Sequence, residues 1–145
     1  MQRRDAFLSA GAMAIGALAS AARADEDPHA HHHGAGPYAG LAGAAADCVA
    51  KGEVCLNHCL TLLGDGDKAM GACGKAVNAM LATSQALQSL AAQASTLTLP
   101  MARVAIDACK ACEDECRKHE DKHAACKDCA ESCARTQREI KTALG

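Results

Sequence analysis

"CKACEDECRKHEDKHAACKDCAESC", residues 109–133, holds six cysteines in 25 residues and no aromatic side chain. Between the thiols stand Lys, Glu, Asp, Ala and Arg, residues that form or tolerate helix. At about 100° per residue, Cys109, Cys112 and Cys116 fall within an arc of roughly 60°. Cys126, Cys129 and Cys133 repeat that spacing 17 residues later. Charged side chains take the opposite face: Lys110, Glu113, Asp114 and Arg117 in one stretch, Lys127, Asp128 and Glu131 in the next. The thiols therefore sit where a helix places its core residues.

The pattern extends upstream. Cys48, Cys55 and Cys59 span an arc of about 40°, and Cys73 opens a stripe that continues through Val77, Met80 and Ser84. Breaks at "GDGD" (64–67) and "QASTLTLP" (93–100) divide the chain into four helical stretches. The first is expected to run from Pro37 to about Leu63 with Gly64 as its C′ residue, and the second from Lys68 to about Ala92 behind an Asp67 N-cap. Thr98 is expected to cap the third, which holds Pro100 in its first turn and ends near His119. Asp121 is expected to cap the fourth, which ends near Leu144. No stretch alternates with period two. These readings predict an all-α fold, an antiparallel up-down-up-down four-helix bundle with a Cys-lined core over residues 37–145.

The beginning of the chain reads differently. Arg3-Arg4, the small-residue apolar run from Ala10 to Ala22, and Ala22-Arg23-Ala24 form the charged region, short hydrophobic region and cleavage site of a secretory signal, residues 1–24. The paired arginines point to the twin-arginine route, and so to an exported, periplasmic protein. The run is too short and too rich in Gly and Ala to be a membrane span. Residues 25–36, "DEDPHAHHHGAG", read as a flexible His-rich tail. Cleavage after Ala24 leaves 12 of the 15 basic and 16 of the 17 acidic side chains, a formal charge of −4. With no basic stripe and no stacking platform, nothing indicates nucleic acid as a partner. Tyr38 is then the last aromatic residue, so ten thiols must make up part of the interior.

Disulfides, zinc and a softer metal compete for such an interior. Residues i and i+3 or i+4 on a helix hold their Cβ atoms about 5–6 Å apart. A disulfide needs them near about 3.8 Å, so the helical C-x-x-C and C-x-x-x-C pairs do not close on themselves. Two thiolates on one metal, with bonds of about 2.3 Å, put their sulfurs roughly 4.5 Å apart, which i, i+4 rotamers reach. Between helices, Cys116 can face Cys126, Cys112 face Cys129, and Cys109 face Cys133, so stapling stays open in an exported protein. Pairing Cys59 with Cys73, however, sets Cys55 against Val77 and Cys48 against Ser84, leaving two thiols without rungs. Zinc prefers closed sets of four ligands, whereas the stripes run on without grouping in fours. Thiolates select Cu(I), which accepts two or three sulfurs and so suits successive rungs. No nucleophile–base pair is visible, and the chain is not expected to be an enzyme.

The chain resembles the exported copper storage proteins of the four-helix-bundle type. The resemblance rests on the twin-arginine leader, "DEDPHA" (25–30), "CLNHC" (55–59), "MGACGKA" (70–76) and C-x-A-C-x-x-E-C (109–116). It implies storage of multiple Cu(I) ions inside the bundle, on Cys48, Cys55, Cys59, Cys73, Cys109, Cys112, Cys116, Cys126, Cys129 and Cys133. It also implies His58 and Met70 at the copper entrance, delivery to copper enzymes or detoxification, and a tetramer of bundles. Ser84, Thr136 and Ile140 stand where thiol-richer relatives carry cysteine, and Leu62 and Asp65 where a Met-rich mouth is fuller; a lower capacity is expected. His29, His31, His32 and His33 read either as a copper-capturing tail or as a polar one. His119 and His123 are expected to be solvated helix-end residues rather than ligands.

Overall fold

The computed structural model describes residues 36–145, which form α1 (Ala39–Gly64), α2 (Met70–Ala92), α3 (Thr98–Arg117) and α4 (Ala124–Leu144). The expected signal sequence (1–24) and almost all of the expected His-rich tail (25–36) lie outside the described residues. Each helix lies beside two neighbours, α1 beside α2 and α4, and α3 beside α2 and α4, while across the diagonals only side chains meet at the axis. That is the square of an up-down-up-down bundle. None of these helices is long and apolar enough to cross a membrane.

The buried positions follow one rule in every helix. Leu41, Ala45, Cys48, Gly52, Cys55 and Cys59 line the inside of α1, and Met70, Cys73, Val77, Met80, Ser84, Leu87 and Ala91 that of α2. Ala102, Ala105, Cys109, Cys112 and Cys116 line α3, and Cys126, Cys129, Cys133, Thr136 and Ile140 line α4. Successive members are three and four residues apart by turns, the spacing that keeps a seam facing its partners in a bundle. Exposed ion pairs such as Lys110–Asp114 (2.8 Å) decorate the outside and contribute little to stability.

The helix ends correct several expectations. Pro37 lies in a turn, where the Ala39 N–H bonds Gly36 O, and α1 begins after it. At the other end Gly64 is still helical, and the left-handed residue is Gly66 (φ 94°). Its N–H bonds Leu63 O while the Asp67 N–H bonds Leu62 O, a Schellman motif. Asp67 does receive the Ala69 N–H on Oδ1 (3.0 Å), but what it caps is a tight turn, and α2 starts at Met70. Thr98 is a helical residue: Pro100 has no N–H to offer it and the Met101 N–H is taken by Leu97 O, so its hydroxyl donates to Leu90 O (3.0 Å). Ser95 Oγ, accepting the Leu97 N–H, does the local capping. Asp121 is exposed and caps nothing, because the His123 N–H within its reach donates to His119 O. α3 therefore ends at Arg117 rather than His119, and α4 starts behind His123.

Candidate metal centre

All ten cysteines are free, and each is 0% exposed. The helical stripes aim them at one axis, where their sulfur atoms form a continuous chain of neighbours. Cys73 lies 3.5 Å from Cys116, Cys55 lies 3.8 Å from Cys116 and 3.9 Å from Cys126, and Cys112 lies 3.7 Å from Cys129. Cys48 lies 3.7 Å from Cys133, and within α3 Cys112 and Cys116 approach to 3.9 Å. Four groups have all their sulfurs within 4.8 Å of one another: Cys55–Cys59–Cys73–Cys126, Cys55–Cys116–Cys129, Cys112–Cys129–Cys133 and Cys48–Cys109–Cys133. Cys55, Cys129 and Cys133 each belong to two groups. The groups are thus rungs sharing members. Bonds of about 2.3 Å place two sulfurs on one metal roughly 4 to 4.6 Å apart, so small side-chain shifts convert each contact into a bridged pair.

Residues 36–145 match the family model described as copper storage protein. The chain belongs to the copper storage protein family. No curated protein matches it closely enough to add a named relative.

In this family member the thiols do not share one acidity. Burial, followed by the charge of Cys73, pushes Cys59 up to about 12, and the same two causes push Cys126 up to about 11. Hydrogen bonds with Cys112 and then Cys129 drive Cys116 far up, and those with Cys109 and then Cys112 do the same to Cys133. Cys48, hydrogen-bonded first by Cys109, Cys73, first by Cys116, and Cys129, first by Cys112, are held well below the ordinary thiol range. A proton kept on one sulfur is thus donated to the next, and the lowered thiols are the ones their neighbours solvate.

The ladder stops inside the bundle. Beyond Cys48 and Cys109 the axis meets Met80, whose Sδ lies 3.3 Å from the Cys48 Sγ–H, and Ser84, whose Oγ lies 3.8 Å from Cys109. Gly52 makes room for this thioether: a Cβ there would lie 2.6 Å from Met80 Cε. Met80 was legible only as a stripe residue; its spacing gives no sign that its sulfur caps the ladder. Further on, Thr136 donates to Ala44 O (3.1 Å) and Ser132 O (3.0 Å), and Ile140 packs with Leu41, Leu87 and alanines.

At the other end α1, α2, α3 and α4 bring Cys59, Cys73, Cys116 and Cys126 together under Met70, which is itself fully buried in the sulfur cluster. Leu62 packs against that cluster, while Asp65 is exposed at the end of α1. His58 is half-buried, and its Nε2 lies 3.0 Å from Nδ1 of His123. His123 and His119 are also half-buried, with ring centres 6.4 Å apart. His123, expected with His119 to be a solvated helix-end residue rather than a ligand, does stand at the start of α4, but the turn after α3 half-buries it against His58 of α1.

Proposed function

We propose that the protein stores multiple Cu(I) ions on thiolates along the bundle axis, for later supply to copper enzymes or for detoxification. What carries this reading is the sharing of Cys55, Cys129 and Cys133 between overlapping rungs of buried, reduced thiols. Three of the four groups hold three thiols, which suits Cu(I) with its two or three soft ligands better than zinc with its four. The ten cysteines are the ligands, with Met80 adding a thioether at the inner end. Met70 and His58 flank the entrance. Binding is a substitution: each ion displaces the protons of the thiols it joins, so loading releases acid and is coupled to tightening of the fold. The protein does no catalysis.

The reading extends to residues 1–24 as a twin-arginine signal, 25–36 as a His-rich tail, and 37–145 as the storage domain of an exported, periplasmic protein. That route carries folded proteins, so thiols inside a folded bundle are shielded on the way.

One observation favours zinc as a second reading at a single place. Cys55, Cys59, Cys73 and Cys126 are four thiols within mutual reach, the number zinc prefers. One experiment separates the readings. The mature chain is purified without oxygen, its free thiols are counted after denaturation, and Cu(I) and Zn(II) are each titrated against a strong competing chelator. Ten free thiols with several tightly held Cu(I) ions support storage. One tight Zn(II) and weak Cu(I) uptake supports the zinc site, and few free thiols with no uptake supports a disulfide-stapled module.

A further inference from the structure

The inner end of the ladder is built differently from its other rungs. Among the sulfur contacts of the described residues, the shortest is not between two thiols. Cys48 Sγ–H donates to Met80 Sδ at 3.3 Å, against 3.5–3.9 Å for the thiol pairs. A thioether has no proton to give, so the lone pair that receives the Cys48 proton is aimed at the Cys48 sulfur. An ion that displaces this proton lies within reach of the same lone pair. Cys48, Cys109 and Cys133 already hold their sulfurs within 4.8 Å of one another. Four sulfurs on one ion, with bonds of about 2.3 Å, stand roughly 3.8 Å apart. Cys48 lies 3.7 Å from Cys133 and 3.3 Å from Met80. Three thiolates around a monovalent ion leave excess negative charge in a buried place. A fourth thiolate would add to it, whereas a thioether adds a soft donor and no charge.

The space for this thioether comes from α1. Glycine inside a helix is destabilising relative to alanine, yet Gly52 is buried on the same seam as Cys48 and Cys55. A Cβ there would lie 2.6 Å from Met80 Cε and 2.9 Å from Leu81 Cδ2. Gly74, the buried glycine of α2, is under no such constraint, since its Cβ would meet Cys59 Cβ at 3.6 Å, an ordinary contact. The hole at Gly52 is therefore the one that a sulfur ligand fills. Met80 is unbranched and flexible, so a methyl group at position 52 turns its end aside and takes Sδ off Cys48.

We propose that Gly52 is a positioning residue for Met80, and that the thioether it holds joins Cys48, Cys109 and Cys133 in a mixed site of three thiolates and one thioether for a soft monovalent ion. This rests on the storage reading and deepens it, because it makes the innermost site chemically distinct from the all-thiolate groups nearer the mouth. Gly52 touches no ion; it acts only through the place it leaves for Met80.

The full chain is labelled with selenomethionine and loaded with Cu(I) without oxygen, and X-ray absorption at the selenium edge is recorded for copper neighbours. The same is done with Met80→Leu, Gly52→Ala and the two combined. Met70 and the remaining methionines are common to all four chains, so the differences report Met80. The wild type is expected to show a selenium–copper neighbour that Met80→Leu lacks and Gly52→Ala loses. In each single variant one Cu(I) is expected to be held roughly tenfold less tightly against a chelator, the usual loss for a supporting group. Adding Gly52→Ala to Met80→Leu is expected to weaken copper binding no further, because both changes act through one thioether. Equal selenium–copper signals in wild type and Met80→Leu overturn the ligand. Equal signals in wild type and Gly52→Ala overturn the positioning role, and so does a further loss of affinity in the combined variant. If Gly52→Ala does not fold, Gly52→Ala/Met80→Ala, which clears the space its Cβ needs, is expected to fold, and its failure also overturns that role. Cu(I) uptake without a Met80-dependent signal sinks this site alone, whereas no Cu(I) uptake at all sinks the storage reading with it.

Discussion

The two halves of the bundle are built to one geometry and filled with different chemistry. From Cys48 on α1 to Met70 on α2, and over Cys109–Cys116 and Cys126–Cys133, the interior is mostly sulfur, with Val77, Leu81 and Ala130 among it. Past Ser84 and Thr136 the same seams continue as Leu41, Leu87, Ala91, Ala102, Ala105 and Ile140. The three-and-four spacing does not change at the junction. The difference teaches that the heptad spacing sets where a side chain points, while its identity sets what the interior can hold. Aliphatic groups stabilise the fold by burial alone. The thiols are small and held apart at hydrogen-bonding distances, so on the proposed function the sulfur half would gain its full stability only from bound ions.

The largest test of that contrast is loading itself. Cu(I) at a thousandfold excess over its dissociation constant stabilises by about 4 kcal/mol per independent site. Several ions should therefore raise the melting temperature by more than about 15 °C, as read by calorimetry under anaerobic conditions. Identical melts with and without Cu(I) would end the idea that the sulfur half is completed by metal. Next in size, Leu87→Ala should cost about 2–5 kcal/mol of apo stability and leave copper uptake unchanged. Cys129→Ser should do the reverse, costing little in the apo protein while cutting uptake by more than one ion, because Cys129 belongs to two rungs.

The acidity of the thiols gives a third, smaller contrast. Cys59 and Cys126 are raised by burial to about 12 and about 11. The stability that these raised groups contribute is present below the ordinary thiol value of 9.0 and is lost as pH rises through 11 to 12. Cys48, Cys73 and Cys129, being lowered, are ionised in both folded and unfolded chains above 9.0 and add no slope there. Apo protein should therefore lose stability above pH 9, and copper-loaded protein should not, since its thiols have already given up their protons. Denaturant midpoints across that range check it.

Ser84→Cys would move the boundary between the halves, setting a new thiol beside Cys109. Copper uptake should rise, measured against a chelator, with little change in apo stability. The smallest effect lies at a loop. Gly66 and Ala94 occupy matching left-handed positions after α1 and α2, each closed by a Schellman pair of bonds, but Ala94 has φ 48° and carries a Cβ. Ala94→Gly should raise stability by about 0.5–1 kcal/mol and leave copper uptake untouched.

Much of this was legible before any coordinates. The 3.6-residue stripes of Cys109–Cys116 and Cys126–Cys133 and the Gly- and Pro-marked breaks suffice for four antiparallel helices with thiols inside. Helix starts were not legible, because caps compete: the Met101 and His123 N–H groups, which Thr98 and Asp121 were expected to bind, had backbone partners instead. Met80 was visible as a core residue but not as a neighbour of Cys48, since that contact depends on the space above Gly52 in the next helix. The joining of His58 to His123 spans 65 residues, and no local pattern encodes it.

By itself the sequence determined which side chains face inward and that ten of them are thiols, because helical period and composition are local properties. Only the tertiary structure decided how the sulfurs group, which of them are shared between rungs, where the ladder ends and that His58 bonds His123. Those depend on the axial offset of one helix against the next, and that offset is set by packing and loop closure together, not by any one stretch of chain.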